Sequence, residues 1–331
     1  LPDAVVVKRV SLIKTPSKLS NLKELCVGAL FKLYVRYGIG HFINKVPLTS
    51  KSEVPPFFVI GSGRSGNTLL RRILNNSHDL YIPPETYVLG QCIHTYYKHP
   101  FLEWESLVNL MLSTFEKHPE FKTFKLGSLS CLKEELVRLD LSDRSLSAIL
   151  GAFYLHYKNI HQLSGSRWGD KTPLNTFHLE ELAAVFPCSQ YVHIIRDPFD
   201  AISSYVKAGI YNDVESAAKR WLLAVEGSCK FGREHPSQYF EVMYKDLVTN
   251  PASTVGGVCE FLGVHYVPEL LGTPSTDLGD VGMHAHHANV QKAITPDGLG
   301  KGRKSLTSEE YLSIVRVLET SSEPLVLSFL S

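Results

Sequence analysis

Residues 57–70 read FFVIGSGRSGNTLL, and this stretch decides the fold. Phe57–Ile60 are four apolar residues between two prolines and Gly61, a pattern that predicts a buried parallel strand. A turn rich in Gly and Ser follows, and Thr68–Leu74 then repeats apolar residues at helical spacing. A strand, a glycine turn and a helix together direct backbone N–H groups and the positive end of a helix dipole at one anion. The stretch predicts a phosphate loop (residues 61–68), although any α/β protein can join a strand to a helix through glycines.

The residue types in the phosphate loop narrow the choice of anion. Gly61-x4-Gly66-Asn67-Thr68 follows the P-loop pattern except that Asn67 stands in the place of the lysine. An ATPase or kinase of that class needs the lysine on the transferred phosphoryl group and a magnesium ion on the next hydroxyl. The nearest cation here is Arg64, inside the turn. The loop is therefore predicted to hold a phosphate-like group without the usual ATP machinery.

The motif Gly-x-Gly-Arg-Ser-Gly-Asn-Thr after Phe-Phe-Val-Ile resembles the 5'-phosphosulfate loop of sulfotransferases that use 3'-phosphoadenosine 5'-phosphosulfate (PAPS). Many members of that family have a threonine in the place of Asn67, but an amide still donates a hydrogen bond to a phosphate oxygen. The resemblance implies that the 5'-phosphosulfate is bound by Arg64, Ser65, Gly66, Asn67 and Thr68.

A second strand-to-helix junction lies about 130 residues further along the chain. Tyr191–Ile195 is an apolar run, Asp197 is a candidate helix N-cap, and Pro198 suits the first helical position. Arg196 and Ser204 are eight residues apart, about two helical turns, so both can face the same junction. This second corner (residues 196–204) resembles the family's 3'-phosphate site, where a guanidinium and a hydroxyl hold the phosphate.

Glu85 is the candidate catalytic base. Pro83 and Pro84 end a short predicted strand at Tyr81–Ile82 and leave Glu85 on a loop. Without further context, a glutamate there is a solvated charge. In its motif layout the chain resembles the tyrosylprotein sulfotransferase-like branch, in which a Gly-Glu-Glu-Thr segment follows the phosphosulfate loop and its second glutamate activates the acceptor. Glu85 precedes a threonine and lies 21 residues after Arg64, so the resemblance implies the same role for it.

Lys171 is the second candidate catalytic residue. It follows a short predicted strand within Arg167–Pro173 and precedes a helix predicted over Asn175–Phe186. The family commonly has Lys-x-Pro at this point, near the bridging oxygen of the cofactor. The resemblance implies that Lys171 and Arg64 stabilise the charge on the departing phosphate, whereas the alternative is an exposed lysine at the end of a strand.

Three further residues are candidates for the cofactor site. Tyr244 follows a strand predicted over Tyr239–Met243, and relatives bring such a tyrosine near the nucleotide, although core packing explains it equally well. Residues 264–304 show no periodic spacing of apolar residues, and an irregular stretch of this length is predicted to form a lid or binding loop. Relatives often carry Gly-Arg-Trp near the end of this loop, which implies that Lys301, or else Arg303, closes over the cofactor.

The sequence gives little sign of a metal site. No two cysteines have Cys-x-x-Cys spacing, which excludes a zinc ribbon and argues against a disulfide framework. Most histidines, among them His94, have no metal-ligand spacing and are predicted to be surface or interior residues. The histidines of the predicted lid are candidates for a weak metal site or for contact with the acceptor, and they are His284, His286 and His287. We expect the transfer to need no metal, because arginine and lysine side chains can balance the single negative charge of the sulfuryl group.

Composition sets the broad class. The chain has 331 residues, of which 44% are hydrophobic and 20% charged, as in an ordinary globular enzyme. Its 34 basic residues against 33 acidic ones argue against a nucleic-acid partner. Residues 1–54 are predicted to form a helical extension and linker that docks on the domain or binds a membrane surface or partner, and residues 55–331 the sulfotransferase domain.

No apolar run is long enough for a transmembrane helix. The cytoplasm is the expected compartment, or the Golgi lumen if an upstream anchor has been removed.

The sequence thus predicts an α/β fold, with a P-loop-like, mostly parallel sheet flanked by helices on both faces. The resemblance implies transfer of a sulfuryl group from PAPS to a hydroxyl acceptor, leaving PAP. A small-molecule acceptor is favoured over a protein tyrosine. The alternatives of another class are a small-molecule kinase and a non-catalytic nucleotide-binding module. The acceptor and the oligomeric state stay open.

Overall fold

The computed structural model describes residues 44–50, 54–273 and 293–331. In these ranges a single sheet has strands β1 (Phe57–Ile60), β2 (Leu80–Tyr81), β3 (Arg167–Asp170), β4 (Gln190–Ile195) and β5 (Tyr239–Met243). The strands lie in the order β2-β3-β1-β4-β5, and every neighbouring pair is parallel. The predicted α/β class with a mostly parallel sheet is confirmed.

Helices form most of the remaining structure. The α-helices of the described ranges are α1 (Asn67–Leu74), α2 (Leu89–Lys98), α3 (Trp104–Lys117), α4 (Ser130–Val137), α5 (Leu146–Ile160), α6 (Leu179–Val185), α7 (Pro198–Lys207), α8 (Val214–Glu234), α9 (Tyr244–Thr249), α10 (Pro251–Leu262), α11 (Lys301–Ser305), α12 (Ser308–Leu318) and α13 (Pro324–Leu327). None of these helices has the length and apolar composition that a membrane span needs.

Strand β1 lies at the centre of the sheet and is buried on both faces. Phe58 and Ile60 pack into one apolar cluster with α2, α3 and α5, whereas Phe57 and Val59 pack into another with α1 and α10. A strand covered by helices on both sides reads as a continuous apolar run, because neither of its faces meets water. This is why the run at residues 57–60 predicts a central parallel strand correctly.

Residues 44–50 precede the predicted start of the domain at residue 55, yet they pack against it. Val46 and Leu48 are buried in the core. The Tyr96 hydroxyl donates to the Val46 carbonyl at 2.7 Å, and the Leu146 N–H donates to the Pro47 carbonyl at 3.0 Å. The helix predicted within residues 1–54 lies outside the described residues, and the boundary between the extension and the domain stays a prediction.

The segment after β3 differs from the helix predicted over Asn175–Phe186. A 3-10 helix covers Pro173–Phe177, and α6 begins only after His178. Side chains of the 3-10 segment are held by partners outside it: the Asn175 amide donates to Asp170 at 2.7 Å, and the Thr176 hydroxyl accepts from the Gly61 N–H at 3.0 Å. These hydrogen bonds fix the tighter turn, and apolar spacing along the chain does not reveal them.

His193 is a fully buried residue of β4. Its Nδ1 lies 2.5 Å from the Tyr239 hydroxyl, which donates to the Glu241 carboxylate at 3.0 Å, and the Cys229 thiol lies 3.8 Å from the same carboxylate. The His193 Nε2 has no hydrogen-bond partner among the described residues. A proton there would place a charge in the core, so burial lowers the pKa of His193 to about 3.

We expect this histidine to make the fold sensitive to mild acid. Between pH 7.5 and pH 5 the unfolded chain protonates residue 193, with an ordinary pKa of about 6.5, while the folded chain does not. The unfolded state then binds more protons, so the free energy of unfolding falls by about 2 kcal/mol over this interval. Urea unfolding at both pH values should show a loss smaller by this amount in His193→Gln, whereas His156→Gln should behave as wild type. An equal pH dependence in wild type and His193→Gln would contradict the prediction.

Candidate active site

The phosphate loop and the second corner lie side by side. Strands β1 and β4 are parallel neighbours, so both junctions lie at the carboxyl edge of the sheet. Arg64 Nε donates to Ser204 Oγ at 3.1 Å, and Arg196 Nη1 donates to the Arg64 carbonyl at 3.2 Å. The structure therefore brings together the residues predicted to bind the two ends of the cofactor.

Glycines set the path of the phosphate loop. Gly61 has φ 140°, and a Cβ there would lie 2.4 Å from the Ile194 carbonyl oxygen. Gly66 has φ 102°, and a Cβ there would lie 2.5 Å from the Tyr244 ring. Gly66 is also the N-cap of α1 and offers no side chain to the first N–H groups of the helix. Those groups are left for another acceptor, as an anion-binding helix start requires.

Polar side chains of the loop have two different arrangements. The Asn67 amide donates to the Ser62 carbonyl at 2.8 Å, so it braces the turn from inside. Ser65 Oγ is shielded from solvent and has no hydrogen-bond partner among the described residues. A buried hydroxyl without a partner costs free energy, which a ligand oxygen would recover. Ser65 fits the predicted contact with a phosphate, whereas Asn67 has a structural contact that the sequence motif does not reveal.

The meeting point of the two corners is electropositive. Burial, and after it the neighbouring charge of Arg196, lowers the pKa of the Arg64 guanidinium. Arg64 forms no ion pair with a carboxylate in the described ranges, and Arg196 has only Asp200 at 3.9 Å. Two guanidinium groups held together with so little negative charge favour a bound anion.

Tyr244 connects the two corners. Its ring packs against Gly66, and the Arg196 guanidinium lies over it, 4.7 Å from the ring centroid. Arg196 Nη2 also donates to the Gly298 carbonyl at 3.2 Å, which brings the end of the predicted lid to the same place. Both the nucleotide contact and the packing role predicted for Tyr244 are compatible with this position.

Glu85 and Lys171 form a buried ion pair beside the phosphate loop. The Lys171 side chain is fully buried and that of Glu85 is only 10% exposed. Lys171 Nζ also donates to the Thr68 hydroxyl at 3.3 Å. The alternatives of a solvated loop glutamate and an exposed lysine at a strand end are therefore excluded, since both charges lie inside the protein and next to α1.

A hydrogen-bond network centred on Asp170 holds the segments that carry this pair. The Asp170 carboxylate accepts from the Tyr154 and Thr86 hydroxyls at 2.7 and 2.9 Å and from the Asn175 amide at 2.7 Å. Burial raises the pKa of Asp170, while the hydroxyl donors oppose that rise. Sequence reasoning missed this network, because Tyr154 comes from α5 and nothing near it marks the contact; the one available signal was the acidic residue directly before Lys171.

Asp170→Ala should destabilise the domain. The substitution leaves two buried hydroxyls and one buried amide without their acceptor, so we expect the free energy of unfolding to fall by about 2 to 4 kcal/mol. Urea unfolding measures the loss directly. Asp170→Asn keeps the shape and one carbonyl acceptor and should lose less. A fall in stability no larger for alanine than for asparagine would contradict the role given to the carboxylate.

Lys301 and Arg303, the two residues predicted to close over the cofactor, have different surroundings. Residues 301–304, expected to be irregular, belong to α11, whose first turn is fixed by Gly300 and Gly302 N–H groups that donate to the Asp200 carboxylate at 2.8 and 2.6 Å. Lys301 is exposed. Arg303 lies over the Phe199 ring at 4.2 Å, with Asp197 at 3.8 Å. Neither basic side chain contacts the phosphate loop in the described structure, so closure over the cofactor stays a prediction.

The lid histidines, residues 284, 286 and 287, lie outside the described residues.

The sequence is similar to a known family and to individual characterised proteins. Residues 55–268 match the model of a family described as the sulfotransferase family. Among curated proteins, the chain is similar to an omega-hydroxy-beta-dihydromenaquinone-9 sulfotransferase of Mycobacterium bovis, with 20% identity over 75% of this chain and 74% of the relative. It is also similar to protein-tyrosine sulfotransferase 2 of Gallus gallus, with 22% identity over 76% of this chain and 63% of the relative.

Solved structures share the fold. A sulfotransferase domain from the olefin synthase of Synechococcus PCC 7002 aligns with a TM-score of 0.57 at 23% identity, covering 83% of this chain and 97% of that domain. A sulfotransferase domain from the curacin biosynthetic pathway aligns with a TM-score of 0.53 at 22% identity, covering 81% of this chain and 98% of that domain. Both likenesses extend over nearly the whole of those domains.

Proposed function

This chain belongs to the sulfotransferase family, and on that premise we propose that it transfers the sulfuryl group of PAPS to the hydroxyl of a small-molecule acceptor, with Glu85 as the base. The family match confirms the predictions of a sulfotransferase enzyme and of PAPS as its donor. The acceptor and the roles of individual residues are the proposed part.

The buried Glu85–Lys171 pair beside the phosphate loop carries the proposal. Glu85 takes the proton of the acceptor hydroxyl as its oxygen forms a bond to sulfur. The bond between sulfur and the bridging phosphate oxygen breaks in line, and its electron pair stays on that oxygen. Lys171, whose ammonium already reaches the Thr68 hydroxyl, and Arg64 stabilise the new charge.

The two corners are proposed to hold the nucleotide from both ends. The phosphate loop supplies its N–H groups and the Ser65 hydroxyl to the 5' end, and the adjacent Arg196 and Ser204 bind the 3'-phosphate. Tyr244, whose ring lies between them, contacts the nucleotide. Lys301 and Arg303 are weaker candidates, since closure over the cofactor would need a change in their contacts.

The acceptor class is proposed from hydroxyl chemistry. One curated relative is named for a hydroxylated menaquinone derivative and another for protein tyrosine, and both are hydroxyl acceptors. A protein tyrosine is therefore the second candidate for this chain. The compartment, cytoplasm or Golgi lumen, stays a prediction that depends on which of these acceptors is used.

A transfer assay with several acceptors tests the function. The purified chain is incubated with PAPS and, separately, a long-chain alcohol, a simple phenol or a tyrosine peptide, and PAP release and sulfated product are measured by chromatography and mass spectrometry. We expect acceptor-dependent release with the alcohol or the phenol. Sulfation of the peptide alone would replace the proposed acceptor with a protein tyrosine. Binding of PAP without any transfer would favour a non-catalytic module, and transfer from ATP with magnesium would favour a kinase.

A further inference from the structure

Two histidines and a glutamate lie together at the junction of α2 and α6. His94 projects from α2, and His178 and Glu181 come from the start of α6. The His94 and His178 rings meet edge to face with centroids 5.2 Å apart. Gly90 makes this approach possible, because a Cβ at residue 90 would lie 2.4 Å from the His178 ring. The junction is thus built around the position of this ring.

The separations within this cluster are slightly longer than those between the ligands of one metal ion. One Glu181 oxygen lies 3.6 Å from His94 Nε2 and 4.0 Å from His178 Nδ1, which is too long for a hydrogen bond to either. The three ligand atoms all lie within 4.8 Å of one another. Bonds of about 2.0 to 2.2 Å to a shared ion bring such atoms to about 3.0 to 3.6 Å, so small side-chain rotations suffice.

The chemistry of the group also suits a metal. His178 Nδ1 is shielded from solvent and has no hydrogen-bond partner among the described residues. The His94 side chain is 41% exposed, which leaves the cluster open to an ion from solution. Two imidazoles and one carboxylate favour zinc over magnesium or calcium.

We propose that His94, His178 and Glu181 bind one Zn²⁺ ion that joins α2 to α6. His94 lies nine residues after Glu85, and His178 lies seven residues after Lys171. The ion would therefore tie together the two segments that carry the buried ion pair. The proposal departs from the sequence-based expectation for His94, because the two histidines are 84 residues apart in the chain and show no ligand spacing.

The lid histidines are candidate metal ligands themselves, so the zinc measurement uses a chain that lacks them. The test uses the full chain with His284, His286 and His287 replaced by alanine, stripped of metal with a chelator. Zinc is then titrated by calorimetry, and the melting temperature is followed with and without zinc. We expect one zinc per chain and, at about 100 times the dissociation constant, a rise in melting temperature of about 5 °C.

Single variants in this background assign the ligands. His94→Ala and Glu181→Gln should each weaken zinc binding at least about tenfold and, at the same zinc concentration, reduce the rise in melting temperature by about half or more, whereas His156→Ala should change neither. Cobalt in place of zinc should give the visible absorption bands of a low-symmetry site, and these should vanish in the same two variants. Zinc binding that is absent in this background, or that is unchanged in both variants, would overturn the proposal. Calorimetry and melting do not depend on sulfuryl transfer, so this outcome is separate from the fate of the proposed function.

Discussion

Glu85→Gln is expected to lower the turnover number about 100- to 1000-fold while PAP still binds. The amide keeps the size of the side chain and can hydrogen-bond, but it cannot take a proton from the acceptor, and the loss of a positioned base typically has an effect of this scale. PAP binding should persist, because the described contacts of Glu85 are with Lys171 and not with the second corner. Turnover is measured from PAP release at saturating PAPS, and PAP affinity by calorimetry.

A matched control separates the base from the loss of a charge. Glu105 is an exposed glutamate on α3, and Glu105→Gln should turn over like wild type. The melting temperature of each variant shows whether the unpaired Lys171 has unfolded the chain, since breaking a buried pair is strongly destabilising. A folded Glu85→Gln with the wild-type turnover number would remove the base role from residue 85.

Lys171→Met is expected to lose about 100- to 1000-fold in turnover for a different reason. Methionine fills a similar volume in the buried site but cannot stabilise the charge that develops on the bridging oxygen, and removal of one such electrostatic donor typically has this cost. Lys230→Met, at an exposed position on α8, is the matched control and should be unaffected. Wild-type turnover in a folded Lys171→Met would contradict the role of the ammonium.

The double variant shows whether the two residues act as a unit. If Glu85 and Lys171 serve the same step, combining Glu85→Gln with Lys171→Met should lower turnover by much less than the product of the two single effects. The double variant also removes both charges together, so it should be more stable than either single variant. Fully multiplicative losses would show that the two residues act independently.

Local signals explain what the sequence predicted well. The end of β4 and the start of α7 are marked by Asp197 and Pro198, and the Asp197 carboxylate does accept from the Asp200 N–H at 3.1 Å, as an N-cap should. The end of α10 carries a local signal of the same kind, since its C-cap is Gly263 with φ 70°. That the two corners meet was implied by the family resemblance, and the parallel pairing of β1 with β4 accounts for it, because parallel neighbours place their carboxyl ends on one edge of the sheet.

Long-range contacts explain what the sequence did not reveal. The Asp170 carboxylate bonds Tyr154 and Thr86, which are 16 and 84 residues away, and no periodicity relates these three positions. The internal hydrogen bond of Asn67 and the α11 position of Lys301 likewise depend on partners that come together only in the folded chain. A motif fixes residue types and their order, whereas the partner of each side chain is a property of the tertiary fold.

The affinity of PAP compared with that of adenosine 5'-monophosphate is the measurement that tests the two-corner site most directly. The two ligands differ in the 3'-phosphate, which is assigned to Arg196 and Ser204. Calorimetry on the wild type should show PAP binding at least about 10- to 100-fold more tightly, as a charge-assisted contact implies. Arg196→Ala should remove most of this preference and leave adenosine 5'-monophosphate nearly unchanged. Equal affinities for the two ligands in the wild type would contradict a nucleotide held between the phosphate loop and the second corner.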